Sequence, residues 1–391
     1  MNEEASKKPE LIPKAKYIHG ESPTKTPNWR LIDSPERPDC VESEEGVEIY
    51  STEDNVKYVR TPEERFENLK NFPYEPHYAL IDGLRMHYVD EGSKGGEVIL
   101  LLHGQPTWSY LYRKMIPTLA KADYRVIAVD NMGMGRSDKP IDIGFHTFEH
   151  HVEILKKFIA AVNLENITLF GQDWGGVFGL RTVGDQSESF ARVIAANTAT
   201  FIIPKGMNPF ILPNPIKIDC SLKEYNIIDF FHEKKKRKRK ISQTAFLKFF
   251  QRWMMFCLTH PNFKPSNFLQ LMTILDKPST EELAAYDAPY PSLSYKAAIR
   301  TLPSMMAGME DNNVEAWEKL GEFDKPFLFL GGEKDLSRFG TPEAEKYFTD
   351  HIPGTKGQAH QRYPNVGHYI QEDLGAELAE KVISFMKANP M

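Results

Sequence analysis

The sequence predicts an α/β protein: a mostly parallel sheet flanked by helices, with a helical cap inserted into it. Short apolar runs alternate with helical stretches along most of the chain, a pattern typical of parallel strands covered on both faces. Between residues 201 and 303 the strand pattern stops, and prolines, aromatic residues and amphipathic stretches replace it. We therefore expect a core in two parts, residues 60–200 and 304–391, separated by a cap at 201–303.

The predicted elements begin with a hairpin. Asp82-Gly83 is a common two-residue turn and lies between two segments suited to strands. The apolar runs predicted as the following strands lie at 98–102, 125–129, 166–170, 192–196 and 326–331. A further strand is predicted near residues 361–363, and residues 374–388 are predicted as a closing helix. Parallel sheets bind ligands beyond the carboxyl ends of their strands, so residues at those ends are candidates for a site.

Composition and charge limit the classes of function. Of the 391 residues, 41% are hydrophobic and 12% aromatic, enough for a sizeable core, and the mild net charge of −6 predicts no general affinity for nucleic acid. The N-terminus lacks the apolar segment of a signal peptide, and no apolar run approaches the roughly 20 residues that span a bilayer. Cys40, Cys220 and Cys257 are odd in number and outside metal-binding spacing. We therefore expect a soluble, cytoplasmic protein with reduced cysteines.

Two segments stand apart from this pattern. Residues 1–59 are polar, and we expect a flexible N-terminal extension that cannot bury enough surface to fold alone. Residues 234–240, within the cap, are seven consecutive lysines and arginines. Such a run is most often a solvated loop, and a nuclear-import or polyanion-binding signal is the alternative.

The segment 172–176, Gln-Asp-Trp-Gly-Gly, follows an apolar strand and precedes a helix, which is the layout of a nucleophile elbow. Gly171 and Gly175 stand two positions either side of Asp173, where a sharp strand-to-helix turn brings backbone close to backbone. An aspartate nucleophile takes an alkyl group from its substrate, so the elbow predicts substitution at a saturated carbon. The alternative is that Asp173 only caps the helix N-terminus.

Two further polar residues follow predicted strands. Asp335 and His368 complete the order nucleophile, acid, histidine that is typical of the α/β-hydrolase fold. A histidine there can act as base, and a carboxylate behind it fixes its tautomer and stabilises the imidazolium. Taken alone, His368 would more often be an ordinary loop histidine.

An oxyanion-binding loop is predicted after an early strand, at His103-Gly104-Gln105-Pro106. The backbone N–H groups of Gln105 and Trp174 would be its two donors. The alternative is that Gly104 and Pro106 simply form a turn.

Four segments together resemble the haloalkane dehalogenases: HGQPTWSYLYR at 103–113, GMGRSDKP at 133–140, QDWGG at 172–176 and GHYIQE at 367–372. The resemblance runs from about residue 60 to the C-terminus and is sparser in the cap. It is closest to the subfamily in which the catalytic acid follows the strand after the cap. The elbow alone is shared with epoxide hydrolases.

The resemblance implies hydrolysis of a haloalkane by water to an alcohol, halide and a proton, through a covalent aspartyl-alkyl ester. Asp173 would be the nucleophile, His368 the base and Asp335 the acid that orients it. Another subfamily carries a Glu acid after the strand before the cap, where this chain has Asn197. No cofactor or metal is expected, nor any membrane partner.

The resemblance also implies that two indole N–H groups hold the halide. Trp174 would supply one, and Trp253, the only tryptophan of the cap, the other. The alternative for Trp253 is a packed core aromatic, and the cap is longer than in the bacterial relatives, with the excess before Trp253. Tyr286 and Tyr290 could face the pocket, as lining at best.

Two other functions remain open at this level. An epoxide hydrolase shares the Asp, His, Asp set, but it needs acidic cap tyrosines and usually carries an aromatic residue where Gln105 stands. A non-catalytic hydrolase-fold protein would act through its tail and basic loop. The complete triad argues against that, because loss of function usually erodes one member.

Overall fold

A computed structural model describes residues 46–201, 250, 253–254, 256–258, 263–309 and 312–391. Several predictions concern residues outside this part of the chain. They concern the flexible extension, of which residues 1–45 are not described, the cysteines Cys40 and Cys220, the basic segment 234–240 and most of the first half of the cap.

Eleven strands are found among the described residues: β1 (Tyr50–Ser51), β2 (Lys57–Val59), β3 (His77–Ile81), β4 (Leu84–Gly92), β5 (Val98–Leu102), β6 (Arg125–Val129), β7 (Lys139–Pro140), β8 (Ile167–Gln172), β9 (Phe190–Ala196), β10 (Phe327–Gly332) and β11 (Gln361–Tyr363). The described α-helices are α1 (Ile116–Lys121), α2 (Phe148–Ala161), α3 (Trp174–Asp185), α4 (Pro265–Met272), α5 (Thr280–Asp287), α6 (Ala297–Thr301), α7 (Asn312–Leu320), α8 (Pro342–Thr349), α9 (Ile370–Leu374) and α10 (Ala376–Ala388). Short 3-10 helices lie at Glu63–Phe66, Ser109–Tyr112, Ile143–Phe145, Ser187–Ser189, Leu293–Tyr295, Leu302–Gly308 and Pro353–Thr355.

Eight strands form the central sheet, in the order β11-β10-β9-β8-β5-β6-β4-β3. Neighbours from β11 to β6 are parallel, while β4 pairs antiparallel with both β6 and β3. Every residue of β8 and β10 is buried, which explains their continuous apolar runs, since helices cover both faces of a parallel sheet. The α/β fold predicted from the sequence is confirmed.

The hairpin between β3 and β4 is also confirmed. Ile81 pairs with Leu84, and both turn residues have positive φ, 50° at Asp82 and 77° at Gly83. Positive φ at both central positions is the conformation that Asp-Gly favours in two-residue hairpins.

The closing helix differs from its prediction. Residues 370–388 form two helices, α9 and α10, because Gly375 adopts a positive φ of 50° between them. This left-handed residue ends α9 and redirects the chain into α10.

The folded part of the chain begins before residue 60, earlier than the sequence predicts. Strands β1, β2 and β7 form a separate antiparallel sheet, in which Tyr58 and Val59 are buried. Next to it, Arg60 donates two hydrogen bonds to the buried Asp138 carboxylate, at 2.7 and 2.8 Å. Composition does not predict that this segment is folded, because most of its residues are polar and only a few of its side chains pack against the core.

Within the predicted cap of residues 201–303, the described segment 263–303 is held to the core by buried charges. The guanidinium of Arg113, which follows the 3-10 helix Ser109–Tyr112, donates to Glu282 of α5 at 2.8 Å and to Glu372 of α9 at 3.0 Å. The side chains of Arg113 and Glu372 are fully buried. Cap helix α5 is therefore tied to the same core group as α9, the helix that follows His368.

Within the described residues, no helix combines the length and apolar character that a membrane span requires.

The turn between β8 and α3 is sterically tight. A Cβ on Gly175 would lie 2.2 Å from the carbonyl oxygen of Leu102 in β5, and one on Gly171 would lie 2.6 Å from the Cα of Gly176. Both neighbours are backbone atoms, which cannot move without displacing the strand or the helix. The two glycines that the elbow pattern singles out are therefore required by packing.

We predict that Gly175→Ala destabilises the fold by about 1–3 kcal/mol, because the added methyl overpacks against β5. Gly95→Ala is the matched control, since a Cβ on that exposed glycine meets no atom within 4 Å. Urea unfolding followed by far-UV circular dichroism measures both variants. Equal transition midpoints for the two would contradict the steric explanation.

Candidate active site

Asp173 lies in the turn between β8 and α3, with φ 50° and ψ −128°. Few residues other than glycine adopt this backbone conformation, which costs about 1–3 kcal/mol and is found mostly at functional sites. Among the described residues, the Asp173 carboxylate accepts no capping hydrogen bond from the backbone of α3. The helix-cap alternative is therefore wrong, and the side chain is directed elsewhere.

The carboxylate of Asp173 meets two of the predicted site residues. Its Oδ1 accepts a hydrogen bond from the backbone N–H of Gln105 at 2.8 Å, and its Oδ2 lies 3.4 Å from Nε2 of His368. The approach of the loop to the carboxylate depends on Gly104, where a Cβ would lie 2.2 Å from Oδ1. The structure thus brings together the ends of β5, β8 and β11.

Asp335 lies behind His368 on the side away from Asp173. Its Oδ1 is 3.0 Å from Nδ1 of His368, and both residues are buried. The same carboxylate accepts the backbone N–H groups of Ser337 at 2.8 Å and Phe339 at 3.2 Å. These bonds fix the carboxylate, and the carboxylate in turn fixes the tautomer of the imidazole by accepting the Nδ1 proton.

The imidazole of His368 stands between two carboxylates. Burial alone would lower the pKa of His368, but the charge of Asp335 and the hydrogen bonds to Asp173 and Asp335 outweigh it and raise that pKa above its usual value. The two carboxylates therefore favour the protonated, positively charged form of the imidazole.

The backbone beside His368 is held by two polar side chains at neighbouring strand ends. Asn197, which follows β9, donates from Nδ2 to the carbonyl oxygens of Gly367 at 2.8 Å and His368 at 2.9 Å. Gln172, which ends β8, donates to the carbonyl of His368 at 3.2 Å, and its Nε2 lies 3.2 Å from the ring Nε2. Neither role follows from the residue pattern, although their places at strand ends are a signal that could have found them.

A pocket opens above these groups, lined by five of the predicted site residues, namely Gln105, Asp173, Trp174, Trp253 and His368. Both tryptophans therefore face the same space as the Asp173 carboxylate. Most of the remaining wall is apolar and was not predicted; it includes Phe201, Phe250, Phe268, Met272, Met306 and Phe339. Such residues give no sequence signal, because apolar side chains in a cap have the same pattern whether they line a pocket or a core.

The ring of Trp253 also packs against cap aromatics. Its centroid is 4.9 Å from that of Phe268 in an edge-to-face contact and 6.0 Å from that of Phe256 in a stacked one. The packing therefore holds the indole in place without removing it from the pocket wall.

Tyr286 and Tyr290 do not line the pocket, which corrects the expectation that they could. Tyr286 donates to the buried Glu372 carboxylate, and the hydroxyl of Tyr290 accepts a hydrogen bond from the backbone N–H of Gly135 at 3.4 Å. Burial raises the pKa of both hydroxyls above the usual value. These two cap tyrosines are therefore not placed to protonate an opening epoxide ring.

The side chain of Gln105 joins the loop after β5 to the cap. Its Nε2 donates to the carbonyl of Ile299 in α6 at 2.5 Å and lies 3.6 Å from Sγ of Cys257. Cys257 is a free, buried thiol whose pKa is raised by burial. Among the described residues, no cluster of three or more His, Cys, Asp or Glu side chains could hold a metal ion.

Comparisons with known proteins agree with this architecture. The family model of the α/β-hydrolase fold matches residues 97–373. A haloalkane dehalogenase of Psychrobacter cryohalolentis is 37% identical over 86% of this chain and all of its own length. One from Mycobacterium marinum is 38% identical over 84% of this chain and 99% of its own. These relatives are bacterial, and they give no support to nuclear import through segment 234–240.

Solved structures show the same likeness. The tetrameric haloalkane dehalogenase of Paraglaciecola agarilytica NO2 superposes with a TM-score of 0.67 at 30% identity. The match covers 84% of this chain and 98% of that one. Since both sequence and fold agree over most of its length, the chain belongs to the haloalkane dehalogenases of the α/β-hydrolase family, hydrolases that act on carbon–halogen bonds.

Proposed function

We propose that the chain hydrolyses haloalkanes in two steps at Asp173, with His368 as base and Asp335 as the group that orients it. The observation that carries the proposal is the placement of the Asp173 carboxylate between the Gln105 N–H and the His368 ring, at the floor of an apolar pocket. Haloalkane and water are then the substrates, and alcohol, halide and a proton the products.

In the first step, a carboxylate oxygen of Asp173 attacks the carbon that bears the halogen. Oδ1 is held by the Gln105 N–H at 2.8 Å, whereas Oδ2 has the longer, 3.4 Å contact with Nε2 of His368, so Oδ2 is the proposed attacking oxygen. The carbon–oxygen bond forms as the carbon–halogen bond breaks, and the halide leaves with the bonding electron pair. This step transfers no proton and therefore needs no base.

The indole N–H groups of Trp174 and Trp253 are the proposed halide donors. A leaving halide gathers negative charge in an apolar pocket, where a hydrogen bond to that charge is worth more than in water. Indole donates one proton and carries no charge of its own, so it stabilises the halide without binding it too tightly for release. The location of both rings in the pocket wall supports this assignment.

In the second step, His368 takes a proton from water, whose oxygen attacks the carbonyl carbon of the Asp173 ester. The resulting oxyanion is held by the backbone N–H groups of Gln105 and Trp174. Collapse expels the alcohol, which takes the proton back from His368. The regenerated carboxylic acid then passes its own proton to His368, which restores the resting state, so the proton that the imidazole released after ester formation is the one proton product. One oxygen of the new carboxylate comes from water.

The charge of Asp173 links the two steps. In the resting enzyme its carboxylate helps to keep His368 protonated, as a hydrogen-bond partner and as a nearby negative charge. Forming the ester removes that charge, so the pKa of His368 falls. The imidazole then releases its proton and becomes the base that the second step requires.

We further propose that the core comprises residues 60–200 and 304–391 and that the cap, residues 201–303, selects the haloalkanes that fit. The lining residues Trp253, Phe268 and Met272 of the described cap support this division. We also propose a cytoplasmic location, which the free thiol of Cys257 fits.

Removing the indole N–H of Trp253 tests its role. We predict that Trp253→Phe slows carbon–halogen cleavage by about ten- to a hundredfold, the effect of a lost hydrogen bond to a charged group. Binding of the alkyl tail should change less, because phenylalanine keeps most of the apolar surface. Rapid-quench measurement of bromide release gives the rate, and Trp317→Phe, a tryptophan outside the pocket wall, is the control. A parent-like rate in Trp253→Phe would exclude it as a halide donor.

Removing the base should stop the reaction after its first step. In His368→Gln the alkyl ester should accumulate, and mass spectrometry should find the adduct on the peptide that contains Asp173. Parent enzyme turning over in water enriched in heavy oxygen should carry the label into the Asp173 carboxylate. An active parent enzyme that acquires no label, together with a variant that forms no adduct, would overturn the mechanism.

Protonation of His368 should also show in stability. Because its pKa is raised in the folded protein, its contribution is complete below the unfolded pKa of about 6.5 and is lost as pH rises through the folded value. The difference in unfolding free energy between parent and His368→Gln should therefore shrink above about pH 6.5, by at most about 1.4 kcal/mol per pH unit. Urea unfolding at about pH 6 and about pH 9 measures it. A difference that stays constant would show that His368 is not the protonated partner.

A further inference from the structure

One buried carboxylate, that of Asp373 in α9, joins the loop that carries His368 to the cap. Its Oδ2 accepts the backbone N–H of Gly367 at 2.6 Å. Its Oδ1 accepts the backbone N–H groups of Ile274 at 2.8 Å and Leu275 at 2.7 Å, with Asp276 at 3.3 Å. One oxygen therefore holds the residue before His368, and the other holds the cap segment after α4.

The contact between this cap segment and the loop is close on its own. The backbone N–H of His368 donates to the carbonyl of Met272, the last residue of α4, at 3.0 Å. A Cβ on Gly367 would lie 2.0 Å from that same carbonyl oxygen. Met272 also lines the pocket, so the pocket wall contacts the loop that carries His368 at this residue.

Both sides of this junction require hydrogen-bond acceptors. Among the described residues, the four partners of the Asp373 side chain are backbone N–H donors, and a carboxylate offers acceptors on both oxygens. An asparagine offers one acceptor and one NH₂ group, which would face a backbone N–H on the loop side or on the cap side. Losing either set of bonds removes the link that Asp373 makes between the loop and the cap.

We propose that Asp373 is a positioning residue for hydrolysis of the alkyl-enzyme ester, holding His368 at the distance from which it can activate water. The proposal rests on the mechanism proposed above, in which only the second step needs the base. Asp373 does not belong to the pocket wall and touches neither Asp173 nor either halide-binding tryptophan through the bonds described. Its loss should therefore spare alkylation and slow hydrolysis.

The experiment follows the two steps separately in Asp373→Asn with a short primary bromoalkane. Rapid-quench bromide release in the first turnover measures alkylation, and decay of the adduct on the Asp173 peptide, followed by mass spectrometry, measures hydrolysis. We expect alkylation within about twofold of the parent and hydrolysis slower by about ten- to a hundredfold, the effect of a slightly misplaced catalytic group. The adduct should accumulate during steady-state turnover.

Asp287→Asn is the matched control. The Asp287 carboxylate lies in the cap and, like that of Asp373, accepts a backbone N–H. Its donors are the backbone N–H of Ser266 at 2.9 Å and the Ser266 hydroxyl at 2.6 Å. It has no part in the loop of His368, so this variant should keep the parent ratio of the two rates. Asp373→Glu keeps the charge and moves the acceptors by one methylene, and its hydrolysis rate should lie between those of the parent and Asp373→Asn. If Asp373→Asn does not fold, Asp373→Glu carries the test, with slowed hydrolysis and unchanged alkylation as the expected result.

Three outcomes would overturn the inference. They are parent-like hydrolysis in the Asp373 variants, an equal fall in both steps, or the same step-specific loss in Asp287→Asn. The trap in His368→Gln separates this inference from the mechanism beneath it. If His368→Gln accumulates the ester and the Asp373 variants do not slow its decay, only the positioning role fails.

Discussion

The backbone turn at Asp173 is the constraint on which the rest of the site depends. Asp173 is held at φ 50° because the strand before it and the helix after it lie so close together that the chain must turn sharply between them. That geometry points the carboxylate away from α3 and into the pocket. There, Oδ1 accepts the backbone N–H of Gln105 and Oδ2 lies 3.4 Å from Nε2 of His368. The strain is offset by the packing of β5, β8 and α3, so the fold stabilises the reactive conformation in advance of any substrate.

The parts of the fold and site that follow from the sequence are those set by local rules. Continuous apolar runs mark buried parallel strands, and polar residues at their carboxyl ends mark the site, which is why Asp173, Asp335 and His368 could be predicted to converge. The glycine pair around the elbow was readable for the same reason, since only backbone packing demands it at both positions.

The parts that did not follow depend on tertiary contacts. From the sequence, Tyr286 could line the pocket, but in the structure it is buried against Glu372. The local sequence does not distinguish a tyrosine that lines a pocket from one that is buried. The same holds for residues 50–59, whose composition is polar although Tyr58 and Val59 pack in a sheet. Asn197 and Gln172 show the opposite case: each sits at a strand end, yet their bonds to the His368 loop depend on where that loop folds.

The buried Arg113 has a consequence for how substrate reaches Asp173. Swinging α5 outward as a rigid body would take Glu282 away from the fully buried guanidinium of Arg113, which would keep Glu372 as a carboxylate partner. Loss of a hydrogen bond to a charged group costs about 1.5–3 kcal/mol. This bond therefore opposes outward movement of α5. We expect any movement of the cap that admits substrate to leave α5 in place.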